Sequence, residues 1–185
     1  MNRFRIKDLP CKGLKLVQFQ PLGDDRGSLT RLFCFQDLRA IWPGAIVQIN
    51  QTHTAKQGTV RGMHFQKPPH AERKLVICLR GEVWDVAVDL RAGSSTFLQW
   101  HAETLSAANR RAMLIPEGFA HGFQTQSDDV EMLYFHSAAY APEAEGGASP
   151  TDPRLAIPWP IPIASLSGRD QSHPPIDQNF RGMSV

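Results

Sequence analysis

The feature that most constrains this chain is a succession of short segments in which apolar and polar side chains alternate, each closed by a turn signal. Leu14–Gln20 (LKLVQFQ) and Ser28–Phe35 (SLTRLFCF) alternate, with PLGDDRG read as a turn between them. AIVQIN, TVRGMHF, KLVICL, EVWDVAVDL, TFLQWHAE, RAMLI, GFAHGF and VEMLYFH follow, set apart by signals such as WPG, RGE, PEG and SDD. Alternation with period two sends successive side chains to opposite faces of a strand. Many short strands at this spacing describe an all-β sandwich or barrel. Helical pattern is scarce: FQDLRAIW predicts a short helix ended by Pro43 and Gly44, and LSAANR a single helical turn. No internal repeat and no linker interrupts the series. From Ala141 on, the chain is rich in Pro, Gly and Ser and is expected to lie over the surface as a tail. The apolar residues of TDPRLAIPWP predict that this tail docks.

Composition narrows the class. The 185 residues suit one domain, spanning 1–185, with a full core, and 42% apolar content fits a globular chain. A formal charge of +2 is too small for a general nucleic-acid binder, so a bound anion is expected to meet a few placed arginines and lysines. The three cysteines, Cys11, Cys34 and Cys78, have no metal-type spacing and predict free thiols in a reducing compartment. The N-terminal segment lacks the apolar core of a signal peptide, and no apolar run is long enough for a membrane helix. The expectation is a soluble cytoplasmic protein with no nucleic-acid or membrane partner.

Four stretches carry groups capable of chemistry. In TVRGMHFQKPPH, Arg61 and His64 are three apart and would diverge on a regular strand. A bulge at Gly62 would turn both toward one cavity; on pattern alone a solvated Arg61 and a core His64 remain open. In KLVICLRGEVWDVAVDL, a predicted hairpin, Lys74, Val76 and Cys78 share a face, as do Val83, Asp85, Ala87 and Asp89. The aspartates fit a cavity wall, a polar outer face or a structural pairing with arginine. IPEGFAHGF places His121 after a tight turn in a P-x-G-x-x-H pattern, which resembles the second motif of cupins. Metal-binding cupins usually add an H-x-H pair. This chain offers only His64, His70 and Glu72, with His121, at looser spacing, so a metal-dependent oxygenase is the weaker alternative. In EMLYFHSAAYAPEAE, Tyr134 and His136 alternate with Leu133 and Phe135. Tyr134 fits a proton donor or a core aromatic, and Tyr140, past the strand, a stacking surface.

Together these residues resemble one family, the dTDP-4-dehydrorhamnose 3,5-epimerases (dTDP-4-keto-6-deoxyglucose 3,5-epimerases). The match runs from about Leu14 to Asp170 through GDDRG, QIN, GTVRGMHFQ, RGEVWDVAVDLR, LIPEGFAHGF, YAPEAE, TDPRLAIPWP and LSGRD, in the expected order. The resemblance implies a cupin-type jelly roll that works as a homodimer, with site residues from both chains and without metal or organic cofactor. It implies His64 as general base, Asp170 as the carboxylate orienting it and Tyr134 as general acid. It implies Lys74 and His121 around the keto sugar. Gln48, Asn50, Arg61, Arg26 and Glu145 match substrate-binding positions, and Tyr140 and Arg169 are placed with them. The implied substrate is a nucleotide-diphosphate 4-keto-6-deoxysugar.

Three positions depart from the pattern. Arg31 stands where the family usually carries a glutamate, Arg169 replaces a lysine, and Ala139-Tyr140 replaces a Tyr-Tyr pair. The reversed charge at Arg31 bears on base recognition and leaves dTDP, CDP and GDP open. Inversion at C3, at C5 or at both is a separate open point.

Overall fold

The computed structural model describes residues 3–185. Thirteen strands and two short helices are present among them. The strands are β1 (Phe4–Asp8), β2 (Lys15–Phe19), β3 (Leu22–Asp24), β4 (Gly27–Leu29), β5 (Gln48–Thr54), β6 (Val60–Gln66) and β7 (Lys74–Arg80). They continue as β8 (Glu82–Asp89), β9 (Trp100–Ser106), β10 (Arg111–Ile115), β11 (Phe119–Thr125), β12 (Val130–His136) and β13 (Glu145–Gly147). The helices are α1 (Phe35–Leu38) and α2 (Gly168–Ser172). A six-stranded sheet runs β1-β2-β10-β7-β12-β5, and a five-stranded sheet runs β13-β6-β11-β8-β9. Every pairing within these sheets is antiparallel. The all-β class follows from the alternation that the sequence displays.

The alternation also decides what fills the space between the sheets. Val76 and Cys78 of β7, Val83 and Ala87 of β8, Phe119 and Phe123 of β11, and Met132 and Tyr134 of β12 point inward and pack together. Burying a side chain of this size contributes roughly 1.5–3 kcal/mol. Leu75 and Ile77 of β7 and Phe135 of β12 take the opposite face and are covered by Leu32, Phe33, Leu38 and Trp42. On the outer face of the five-stranded sheet, Val86 and Val88 are covered by Leu155, Ile157, Trp159 and Met183. The C-terminal tail therefore docks through the TDPRLAIPWP residues, as their apolar character requires.

Two local expectations are corrected. Ser28–Phe35 is not one strand: β4 ends at Leu29, and Thr30–Cys34 runs without regular structure. Leu32, Phe33 and Cys34 are apolar because they cover a sheet, not because they alternate within one. PLGDDRG holds the expected turn, at Asp25 and Arg26, but also β3, so the turn closes a hairpin that runs from Leu22 to Leu29. The strand β1 escapes the alternation pattern because its inward residue, Phe4, is its only buried one. Among the described residues, no helix is long and apolar enough to cross a membrane.

Candidate active site

One cavity of about 480 Å³ opens between the sheets. Its first wall depends on a single glycine. His121 of β11 faces His64 of β6, while Phe123 faces Arg61, so Gly62 and Met63 together oppose Gly122. This two-against-one bulge cancels the half-turn that separates residues three apart, and Arg61 and His64 both line the cavity. Gly62 has φ +137°, and a Cβ there would sit 2.5 Å from Gly122 Cα and 2.9 Å from His121 O. Only glycine fits this close backbone approach.

The tail supplies the partner of His64. Ser167 caps α2 by accepting from the Asp170 backbone N–H (3.0 Å), which holds Asp170 beneath β6. Asp170 Oδ1 lies 2.7 Å from His64 Nε2, and the Gly62 N–H reaches Asp170 Oδ2 at 3.4 Å. Burial alone would raise the Asp170 carboxyl, but the bonds from His64 and Gly62 outweigh it and hold the group below the usual range. An ionised carboxylate only accepts, so the shared proton sits on His64 Nε2 and Nδ1 carries the lone pair. Burial lowers the His64 pKa below 6.5, and the Asp170 bond opposes that shift without cancelling it. The imidazole is therefore neutral and basic at neutral pH. Arg169 Nη2 lies 3.1 Å from Nε2, where both nitrogens carry hydrogens, so it acts on His64 through its charge, which lowers the His64 pKa further, while its Nη1 donates to Glu145 at 2.9 Å.

The second wall comes from the six-stranded sheet. Tyr134 is buried with its hydroxyl 3.3 Å from Thr52 Oγ1. Burial pushes its pKa up, so it keeps its proton at neutral pH. Lys74 pairs with Glu72 (3.1 Å), and Glu72 also takes His136 Nδ1 at 2.6 Å. Behind them His121 is held by Asp85 at 2.8 Å; the buried carboxyl is pushed up by desolvation. Arg61 Nε donates to Thr54 Oγ1 at 2.9 Å.

The structure brings together most of the residues read from the sequence. His64, Tyr134, Asp170, Lys74, Asn50, Arg61, His121, Tyr140, Glu145 and Arg169 all line this cavity. Gln48 stands one step back, bonded to Asn50 and to the Tyr140 N–H. Two residues lie elsewhere in the chain. Arg26 pairs with Asp24 on the exposed β3–β4 hairpin, with its side chain 90% exposed. Arg31 is half-exposed beside Asp37 at 3.3 Å. Asp89 is structural, bound to Arg91, Ser94 and Thr96; despite burial these bonds take its pKa down to about 2.

The four ligands of the metal alternative do not converge. Among the described residues the one close group of metal-type ligands is His64, Asp170 and His173. His70 stays in its loop, 3.7 Å from Glu143, while Glu72 and His121 are engaged by other partners. Sequence reasoning missed Thr52, Phe65, Gln66 and Ser167 as wall residues, and His136 as more than a strand position. His136 carried one usable signal, since it shares the inward face with Tyr134.

A β-sandwich holding convergent histidine, tyrosine, lysine and carboxylate groups in one polar cavity defines an enzyme that handles a small polar molecule. The family model of dTDP-4-dehydrorhamnose 3,5-epimerase matches residues 8–178. The dTDP-4-dehydrorhamnose 3,5-epimerase of Salmonella typhimurium is 40% identical over 165 residues, covering 88% of this chain and 90% of that protein. The crystal structure of a dTDP-6-deoxy-D-glucose-3,5-epimerase from Legionella pneumophila, in complex with dTDP-4-keto-L-rhamnose, superposes with a TM-score of 0.90. It is 34% identical, covering 98% of this chain and 99% of that one. A 3'-monoepimerase from Streptomyces bikiniensis in complex with dTDP-quinovose gives 0.84 at 31% identity, covering 90% and 85%. The chain belongs to the dTDP-4-dehydrorhamnose 3,5-epimerase family, isomerases with the cupin jelly-roll fold.

Proposed function

We propose that this chain inverts C3 and C5 of a nucleotide-linked 4-keto-6-deoxyhexose, with the dTDP sugar as substrate, through an enolate. The observation that carries the reading is the oriented pair His64–Asp170 on one wall, with a protonated Tyr134 on the other. A C4 ketone acidifies the protons on C3 and C5. His64 Nδ1 takes one of them, and Asp170 supports the resulting imidazolium. The electron pair moves onto the C4 oxygen, where the Lys74 ammonium stabilises it. Tyr134, across the cavity, returns a proton to the opposite face of the carbon. His64 then releases its proton and Tyr134 regains one from solvent, so the net change is inversion alone. Each proton step is thus assigned to a side chain of this protein.

Arg26 enters this reading through a second subunit. The β3–β4 hairpin exposes Leu22 and Leu29, and Phe35, Val47 and Ile49 are exposed as well. Apolar side chains so placed fit a homodimer in which the hairpin delivers Arg26, and with it Arg31, to the partner's cavity. The free thiols of Cys11, Cys34 and Cys78 fit a cytoplasmic enzyme.

The test is to incubate the enzyme in D₂O with the dTDP-, CDP- and GDP-linked 4-keto-6-deoxyglucoses and follow C3 and C5 by NMR. The reading expects exchange at both carbons, fastest with the dTDP sugar. Exchange at one carbon defines a mono-epimerase, and preference for CDP or GDP moves the substrate class with Arg31. No exchange with any of the three refutes the proposal.

A further inference from the structure

The proposed epimerisation uses neither Glu72 nor His136, yet both side chains sit in the cavity wall at only 9% and 10% exposure. They close a line of hydrogen bonds whose polarity is fixed from both ends. The Tyr140 backbone N–H can only donate, and it gives to Gln48 Oε1 at 2.9 Å. Gln48 Nε2 then donates to Asn50 Oδ1 at 3.1 Å, which leaves Asn50 Nδ2 to donate to His136 Nε2 at 3.5 Å. At the far end Glu72 accepts from His136 Nδ1 at 2.6 Å and from the Lys74 ammonium at 3.1 Å. Burial pushes the Glu72 carboxyl up, but these partners more than offset it, so the group is ionised and only accepts. The donor sequence makes His136 Nδ1 a donor and Nε2 an acceptor, so its two nitrogens serve different parts of the site.

We propose that His136 is a positioning residue with a separate task at each nitrogen. Nδ1 anchors the Glu72 carboxylate that aims Lys74 at the C4 oxygen, and Nε2 holds the Asn50 amide at the substrate-binding end. The inference rests on the epimerase reading and extends it. The short strong bond is on the Lys74 side, and the long one is on the Asn50 side. The two tasks are separable because β7 and β12 bring Lys74 opposite His136, while Asn50 arrives from β5 on the other flank.

Two amide substitutions divide the ring. His136→Asn places its amide nitrogen where Nδ1 lay, so it keeps the donor to Glu72 and loses the acceptor for Asn50. His136→Gln places its carbonyl where Nε2 lay, so it keeps the Asn50 contact and loses the donor. Steady-state kinetics of both variants, with Glu72→Gln and melting curves, form the test. His136→Asn is expected to raise KM about tenfold with kcat within about twofold of wild type. His136→Gln and Glu72→Gln are expected to lower kcat about tenfold with KM nearly unchanged, the size of one lost hydrogen bond. Any other pattern overturns the proposal, whether KM and kcat move together, neither moves, or the split is reversed. A parallel loss in all three with a fall in Tm assigns His136 a structural role only and also overturns it. His64→Ala, run alongside, keeps the two claims apart. Retained exchange there refutes the epimerase mechanism whatever His136 does.

Discussion

Replacing Asp170 by asparagine removes one charge and keeps the shape, and the bonds around the side chain set the cost. Oδ1 accepts from His64 Nε2 and Oδ2 faces the Gly62 N–H. An asparagine has one acceptor for these two donors. With its oxygen toward His64, its NH₂ opposes the Gly62 N–H. With its oxygen toward Gly62, its NH₂ donates to Nε2 and moves the imidazole proton to Nδ1, the atom that must take the substrate proton. Either arrangement removes the carboxylate that supports the imidazolium. A hydrogen bond to a charged group contributes about 1.5–3 kcal/mol, or roughly 10- to 150-fold in rate. The tautomer reversal adds to this, so kcat falls by about 10²–10⁴. Deuterium incorporation at C3 and C5 in D₂O measures it. A second readout has a fixed sign: the Asp170 bond raises the His64 pKa against burial, so its loss moves the acid limb of the pH–rate profile to lower pH. A variant within threefold of wild type, with the limb unmoved, would show that Asp170 does not orient His64.

The same geometry sets further outcomes. The acid limb of wild-type kcat/KM should have its midpoint below pH 6.5, because burial lowers His64 and the base works deprotonated; a midpoint above 6.5 contradicts this. Gly62→Ala combines a strained φ with a Cβ against Gly122 and should cost about 2–5 kcal/mol, read as a drop of several degrees in Tm, with a loss of kcat. An unchanged Tm would mean the bulge is not needed. Mixing Arg26→Ala with His64→Ala subunits should restore about a quarter of wild-type activity at low substrate, because half the dimers are hybrid and each holds one complete site. No recovery places Arg26 outside the partner's site.

Much of this protein is readable in its sequence, and the unreadable parts share a physical origin. Alternation in KLVICL, EVWDVAVDL and VEMLYFH reports a one-face burial that the chain shows locally, so β7, β8 and β12 and the inward faces of Lys74, Asp85 and Tyr134 are legible. Thr30–Cys34 has the same surface pattern for a different reason, covering a sheet from outside, and period alone does not separate the two. The site is legible residue by residue only through family resemblance. His64 and Asp170 are 106 positions apart and meet because the tail crosses the five-stranded sheet. His136 meets Lys74, and Glu72 two residues before it, through strand register, which no spacing within one segment encodes. Gly62 is a partial signal: a glycine between Arg61 and His64 permits a bulge, but the pattern fits a solvated Arg61 and a core His64 as well, and the pairing with β11 decides for the bulge.

The most direct measurement compares wild type with His64→Ala on dTDP-4-keto-6-deoxyglucose in D₂O, following C3 and C5 by NMR with folding checked by melting. Deuterium is expected at both carbons for the wild type and none above background for the folded variant. Exchange that survives the loss of His64 would contradict this.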